Sequence, residues 1–319
     1  MRNYIEAPLT LPGNKIENTG DACEVGRRAI NITGQTESDL NFLALTKYKE
    51  ISEAKSLLKA ESRAVISWGK EKLRIDLSGR MPTEDGVHFL LEPDFNKIAN
   101  IFGCEPNVSG FRMPSGEIFI KQQPKLVDTL SIVQHERLHG VSYQKPTAQQ
   151  IINNRSKEIL CSGYSRYISG EKHYGSFDEA LTEMANLIII REYWSQQPKL
   201  RELRIVDQRH IAYPGEILVV DELIKKISEK NGREYKDVFY ELMKGKIKGK
   251  SRTLRILSDV VGKEGMDVIK KWKASPDVLL KTMTALKLGR GVIKFEQLRR
   301  GSEIRIMEEI IPGFYIKLR

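Results

Sequence analysis

His135-Glu136-Arg137-Leu138-His139 constrains this chain more than any other stretch. On a helix, two imidazoles four residues apart share one face. Held there, both can ligate one Zn²⁺, and the glutamate between them can reach a water on the metal. The chain has only 5 histidines in 319 residues, so the spacing is not a by-product of a histidine-rich composition. The flanking residues predict a helix whose first turn holds Pro124, which runs through Asp128 and Leu130 to His139 and is stopped by Gly140.

Two histidines do not complete a catalytic zinc site, which usually takes three protein ligands and keeps one open position. The metzincin extension would need Gly at 142 and His at 145; the chain has Ser142 and Lys145 there. A carboxylate from a later helix is the other source. A second helix is predicted from Phe177 to about Trp194, with Ser176 as its cap, and it opens Phe177-Asp178-Glu179-Ala180-Leu181-Thr182-Glu183.

With these residues the chain resembles the gluzincins, the thermolysin-like zinc peptidases. Their pattern is H-E-x-x-H followed, on a downstream helix, by a ligand glutamate, a small residue and a second acid four positions on. The resemblance runs over roughly residues 110–245 and is specific at His135, Glu136, His139, Glu179 and Glu183. The 39 residues between His139 and Glu179 exceed the thermolysin-like spacing, and residues 1–80 match nothing in that family. The resemblance implies that Glu179 is the third ligand and that Glu183 orients a ligand histidine by accepting its free ring N–H. It implies a zinc-dependent peptide-bond hydrolase in which Glu136 is the general base.

Each of these residues also has a plainer reading. Ser176-x-x-Glu179 is a capping box, in which the glutamate bonds backbone N–H instead of a metal. Glu183 can be an exposed helix residue, and His135 and His139 can be satisfied core or surface histidines.

A tetrahedral oxyanion needs a further donor. Arg209-His210-Ile211-Ala212-Tyr213-Pro214-Gly215 supplies two candidates, His210 and Tyr213. In zinc peptidases a strand just before the motif helix borders the cleft as a sheet edge. Ile118, Phe119 and Ile120 are the candidates for that strand, to which an extended polypeptide substrate could add; the plain alternative is a core strand.

The expected fold class is α+β: a small mixed sheet with the motif helix, a zincin-like core, and a mostly helical C-terminal part. Residues 1–45, rich in Asn, Thr, Gly and Glu, read as a flexible N-terminal arm. Residues 46–200 read as the catalytic subdomain and 201–319 as a basic helical subdomain. Within them a helix is expected from Thr46 to about Leu73, strands at Leu73–Leu77, Val87–Leu91 and Gly116–Lys121, and a helix from Pro93 to about Phe102. Another helix should run from Glu216 to Lys230 and end at Asn231-Gly232, and a closing strand pair is expected within 303–318.

The net charge is +10, and all of it lies in residues 201–319, with 27 Lys+Arg against 17 Asp+Glu. That imbalance suits either a solvated lysine surface or an anionic partner, and Lys244-Gly245-Lys246-Ile247-Lys248-Gly249-Lys250 reads as a flexible basic loop that could hold one. Competing functions follow: a nucleic-acid-binding protein with a structural zinc site, or an inactive scaffold. A structural site is usually closed by four Cys or His ligands, and the base Glu136 is intact, so both fit less well.

Cys23, Cys104 and Cys161 are too few and too scattered for a disulfide framework, and the sequence around Cys23 matches no cysteine-switch motif. No apolar run is long enough to span a membrane, and the first residues lack the pattern of a signal peptide. The expected compartment is therefore the cytoplasm.

Overall fold

A computed structural model describes residues 51–101, 108–113, 116–123, 125–152, 155–168, 171–201, 203, 212–272 and 276–291. The expected arm, the closing strands at 303–318, Cys23, Cys104 and His210 lie outside the described residues.

The described residues form an α+β arrangement of helices with a small mixed sheet and a second, antiparallel sheet. Helix α1 (Ile51–Trp68) buries Leu57, Leu58, Val65 and Trp68 on one side. It passes into one wider turn over Gly69–Leu73, and Arg74, at φ 55°, turns the chain away. The strand expected at Leu73–Leu77 is therefore absent. The apolar alternation there reflects a reversal in which Ile75 N–H donates to Gly69 O at 3.0 Å and Leu73 and Leu77 are both buried.

Strand β1 (Val87–Leu90) and helix α2 (Glu92–Ile101) follow as expected. Then come β2 (Gly110–Arg112) and β3 (Ile118–Lys121), giving a sheet of order β1-β3-β2. Val87 pairs in parallel with Ile118, and Gly110 pairs antiparallel with Ile120. Ile118, Phe119 and Ile120 thus form the central strand, paired on both sides. The expectation of a sheet edge there is corrected, because the edge position next to β3 belongs to β2. Phe95, Phe111 and Phe119 make a small separate core against this sheet.

The motif helix, α3, runs Leu126–Val141. Gly140 does not stop it. The helix continues to Val141, Ser142 N–H donates to His139 O at 3.2 Å, and Ser142 Oγ donates to Leu138 O at 2.7 Å. Gly140 instead lets Pro82 pack close; a Cβ there would lie 2.8 Å from the proline Cγ.

A four-stranded antiparallel meander separates α3 from the next helix: β4 (Gln144–Ile152), β5 (Arg155–Ser162), β6 (Ser165–Ile168) and β7 (Glu171–His173). Helix α4 (Gly175–Tyr193) carries Glu179. Both α3 and α4 are buried on nearly every side, as central helices of a core must be. They are tied together by Gln134, whose Nε2 donates to Asn186 Oδ1 at 2.7 Å while its Oε1 accepts from Trp194 Nε1 at 2.6 Å.

The short α5 (Pro198–Arg201) precedes α6 (Pro214–Asn231), which ends on Gly232 at φ 60°. Then follow α7 (Tyr235–Lys248), α8 (Leu254–Lys271) and α9 (Pro276–Ala285). One apolar core extends from Leu57 to Leu288 and includes Leu181 and Ala185 of α4 with Ile217 and Val220 of α6. The expected loop at 244–250 is corrected: residues 244–248 are the last turn of α7, capped by Gly249 at φ 66°. Lys246 is fully buried there, while Lys248, Lys250 and Arg252 are exposed. Lys246 therefore does not belong to the surface with the other three cations. No helix among the described residues is long and apolar enough to cross a membrane.

Candidate metal centre

His135 and His139 face α4 from successive turns of α3, and Glu179 faces them from its first turns. The three ligand atoms lie within 4.8 Å of one another. Glu179 Oε2 is 3.3 Å from His135 Nε2 and 3.0 Å from His139 Nε2, and the two Nε2 atoms are 3.1 Å apart. All three residues are buried. Tetrahedral coordination with bonds of about 2.0–2.1 Å places neighbouring ligand atoms roughly 3.3 Å apart, so this donor set fits a small divalent ion.

Each imidazole is backed by a carboxylate. His135 Nδ1 donates to Glu183 Oε2 at 2.7 Å, and Asn186 Nδ2 donates to the same oxygen at 3.1 Å. His139 Nδ1 lies 3.4 Å from Asp178 Oδ2. Carboxylates in these places favour protons on both Nδ1 atoms and leave both Nε2 lone pairs for a metal. Glu179 makes no cap. Its Oε1 accepts from Lys172 Nζ at 3.3 Å, Tyr174 occupies the cap position, and Ser176 Oγ donates to Trp272 O at 3.2 Å. The Lys172 contact occupies Oε1 and leaves Oε2 for the ligand position.

The charges are strongly coupled. Burial alone would lower the His135 pKa, but Glu179 and Glu183 outweigh it and hold the ring at about 10. His139 is also raised: burial opposes this, and Glu179 and Asp178 overcome it. Burial would raise Glu179, yet His139, Lys172 and His135 hold it well below the usual carboxylate range. The two histidines would exchange a proton for a cation, while Glu179 is already ionised.

Glu136 is buried between the ligand histidines in sequence, and its charge acts on His135. It lies against β2: a Cβ on Gly110 would be 3.4 Å from Glu136 Cγ. Tyr213 caps α6 at φ 58°, and its ring stacks 6.0 Å from that of His135 at 23°. This expected oxyanion donor thus lies beside the ligand residues.

Sequence reasoning missed Asp178, Lys172 and Lys246 as neighbours of this cluster. Asp178 stands beside Glu179 in the Asp-Glu-Ala motif, and that adjacency was the available signal. Comparison with known protein families, curated proteins and solved structures finds no match for this chain.

Proposed function

We propose that this protein is a zinc-dependent peptide-bond hydrolase of gluzincin type, with zinc held by His135, His139 and Glu179. The observation that carries the proposal is the meeting of three metal-ligating atoms from two helices, with Glu136 left over on the motif helix as a base. Zinc bound there would acidify a water and polarise the scissile carbonyl. Glu136 takes the proton of the attacking water and returns it to the leaving amine. Tyr213, beside His135, is the proposed donor to the oxyanion, and His210 is the alternative.

The sheet also supports a zincin-like core. Strand β2 is antiparallel to β3, at the sheet edge, and Gly110 brings it against Glu136. An extended polypeptide can add to such an edge through main-chain hydrogen bonds, which gives the substrate class. A cytoplasmic setting remains part of the proposal.

The test is cleavage of a peptide library or casein by zinc-loaded protein. The unaltered chain should cleave, and Glu136→Gln should bind zinc but lose nearly all cleavage. Equal cleavage by both would exclude Glu136 as the base.

A further inference from the structure

The proposed reaction gives no role to Lys246. An apolar side chain of similar volume often serves a fold as well as a buried ion pair does, so packing alone gives little reason for a lysine here. Its Nζ pairs with Asp178 Oδ2, the same oxygen that faces His139 Nδ1.

The surroundings are built tightly around this pair. Asp178 Oδ1 accepts from Tyr164 N–H at 2.7 Å. Gly163 has φ 57°, and a Cβ there would lie 2.5 Å from Asp178 Oδ1 and 3.0 Å from Lys246 Nζ. Tyr164 Oη donates to Leu242 O at 2.8 Å, one turn before Lys246 on α7. Just past the motif helix, Tyr143 N–H donates to Lys246 O at 3.2 Å, and Tyr143 O accepts from Gly163 N–H at 2.7 Å. The motif helix exit, the β5–β6 turn, α4 and α7 thus meet at Asp178 and Lys246.

We infer that Lys246 is a positioning residue for the metal centre, holding the Asp178 carboxylate toward His139 Nδ1 so that His139 Nε2 faces the ligand point. The inference rests on the proposed zinc site. Tyr164 N–H holds Oδ1 and Lys246 holds Oδ2, so the carboxylate keeps Oδ2 toward the ring. Without Lys246, only the Tyr164 contact holds the carboxylate, and the His139 proton is no longer fixed on Nδ1. The basic C-terminal helices thereby reach the metal site through one buried ammonium.

The experiment measures zinc affinity by competition with a chromogenic chelator, and the His139 tautomer by ¹⁵N chemical shifts of the metal-free protein at a pH where the ring is neutral. Lys246→Met should weaken zinc binding about 10- to 100-fold and move proton occupancy from Nδ1 to Nε2. If Lys246→Met does not fold, Asp178→Asn/Lys246→Met, which strands no buried charge, should fold and show the same two changes. Lys246→Arg, which keeps the cation, should recover most of the affinity. Wild-type zinc affinity with the proton still on Nδ1, in whichever neutral variant folds, would overturn the inference. Failure of the unaltered chain to bind zinc would instead defeat the metal site itself.

Discussion

Glu183 Oε2 lies 2.7 Å from His135 Nδ1, and the same oxygen accepts from Asn186 Nδ2 at 3.1 Å. Glu183→Gln can keep both contacts through its amide oxygen but loses the negative charge that makes the His135 ring a stronger ligand. Zinc affinity should fall about 10- to 100-fold with the fold retained, measured by chelator competition and circular dichroism. Unchanged affinity would make Glu183 a packing residue.

Proton release gives a second prediction. The His135 pKa stands at about 10 in the metal-free site, so the ring is an imidazolium at neutral pH. Zinc must displace that proton, and affinity should rise with pH, about tenfold per unit for each proton released. The sign for stability is the reverse. A histidine raised from 6.5 to about 10 stabilises the metal-free fold fully below pH 6.5 and loses that contribution as pH rises toward 10. Calorimetric zinc titrations near pH 7.5, in buffers of different ionisation enthalpy, should show about one proton or more released. No release would mean that the histidine is neutral before binding.

Arg137, inside the motif, does not face the metal. Its guanidinium is buried against α1, donating to Leu58 O at 2.9 Å and pairing with Glu61. Arg137→Ala would strand a buried carboxylate and should cost about 3–5 kcal/mol in urea unfolding. Glu61→Gln should also be costly, because it leaves the buried Arg137 guanidinium, which cannot give up its proton, without a counter-charge. A loss below about 1 kcal/mol for Arg137→Ala would show that α1 does not depend on this anchor.

What the sequence disclosed follows the range of the interactions. His135, Glu136 and His139 are legible because their geometry is set within one helical turn. Glu179 and Glu183 are legible because they repeat that spacing on a second helix, although only the fold removes the capping alternative. The Asp178–Lys246 pair spans 68 residues, and no local pattern marks it. The lysine-glycine run around it looks like a solvated loop, yet it ends a helix with Lys246 turned inward. The β4–β7 meander went unforeseen because polar residues break its alternation. Ile118–Ile120 read correctly as a strand, but whether a strand is central or at an edge depends on pairing partners that its own residues do not encode.

The most direct measurement of the central claim is metal content of the purified, zinc-equilibrated chain beside Glu179→Ala. The unaltered protein should hold one zinc per chain, and the variant should lose it or bind it far more weakly. Full zinc occupancy in Glu179→Ala at unchanged affinity, or no zinc in the unaltered chain, would contradict the claim.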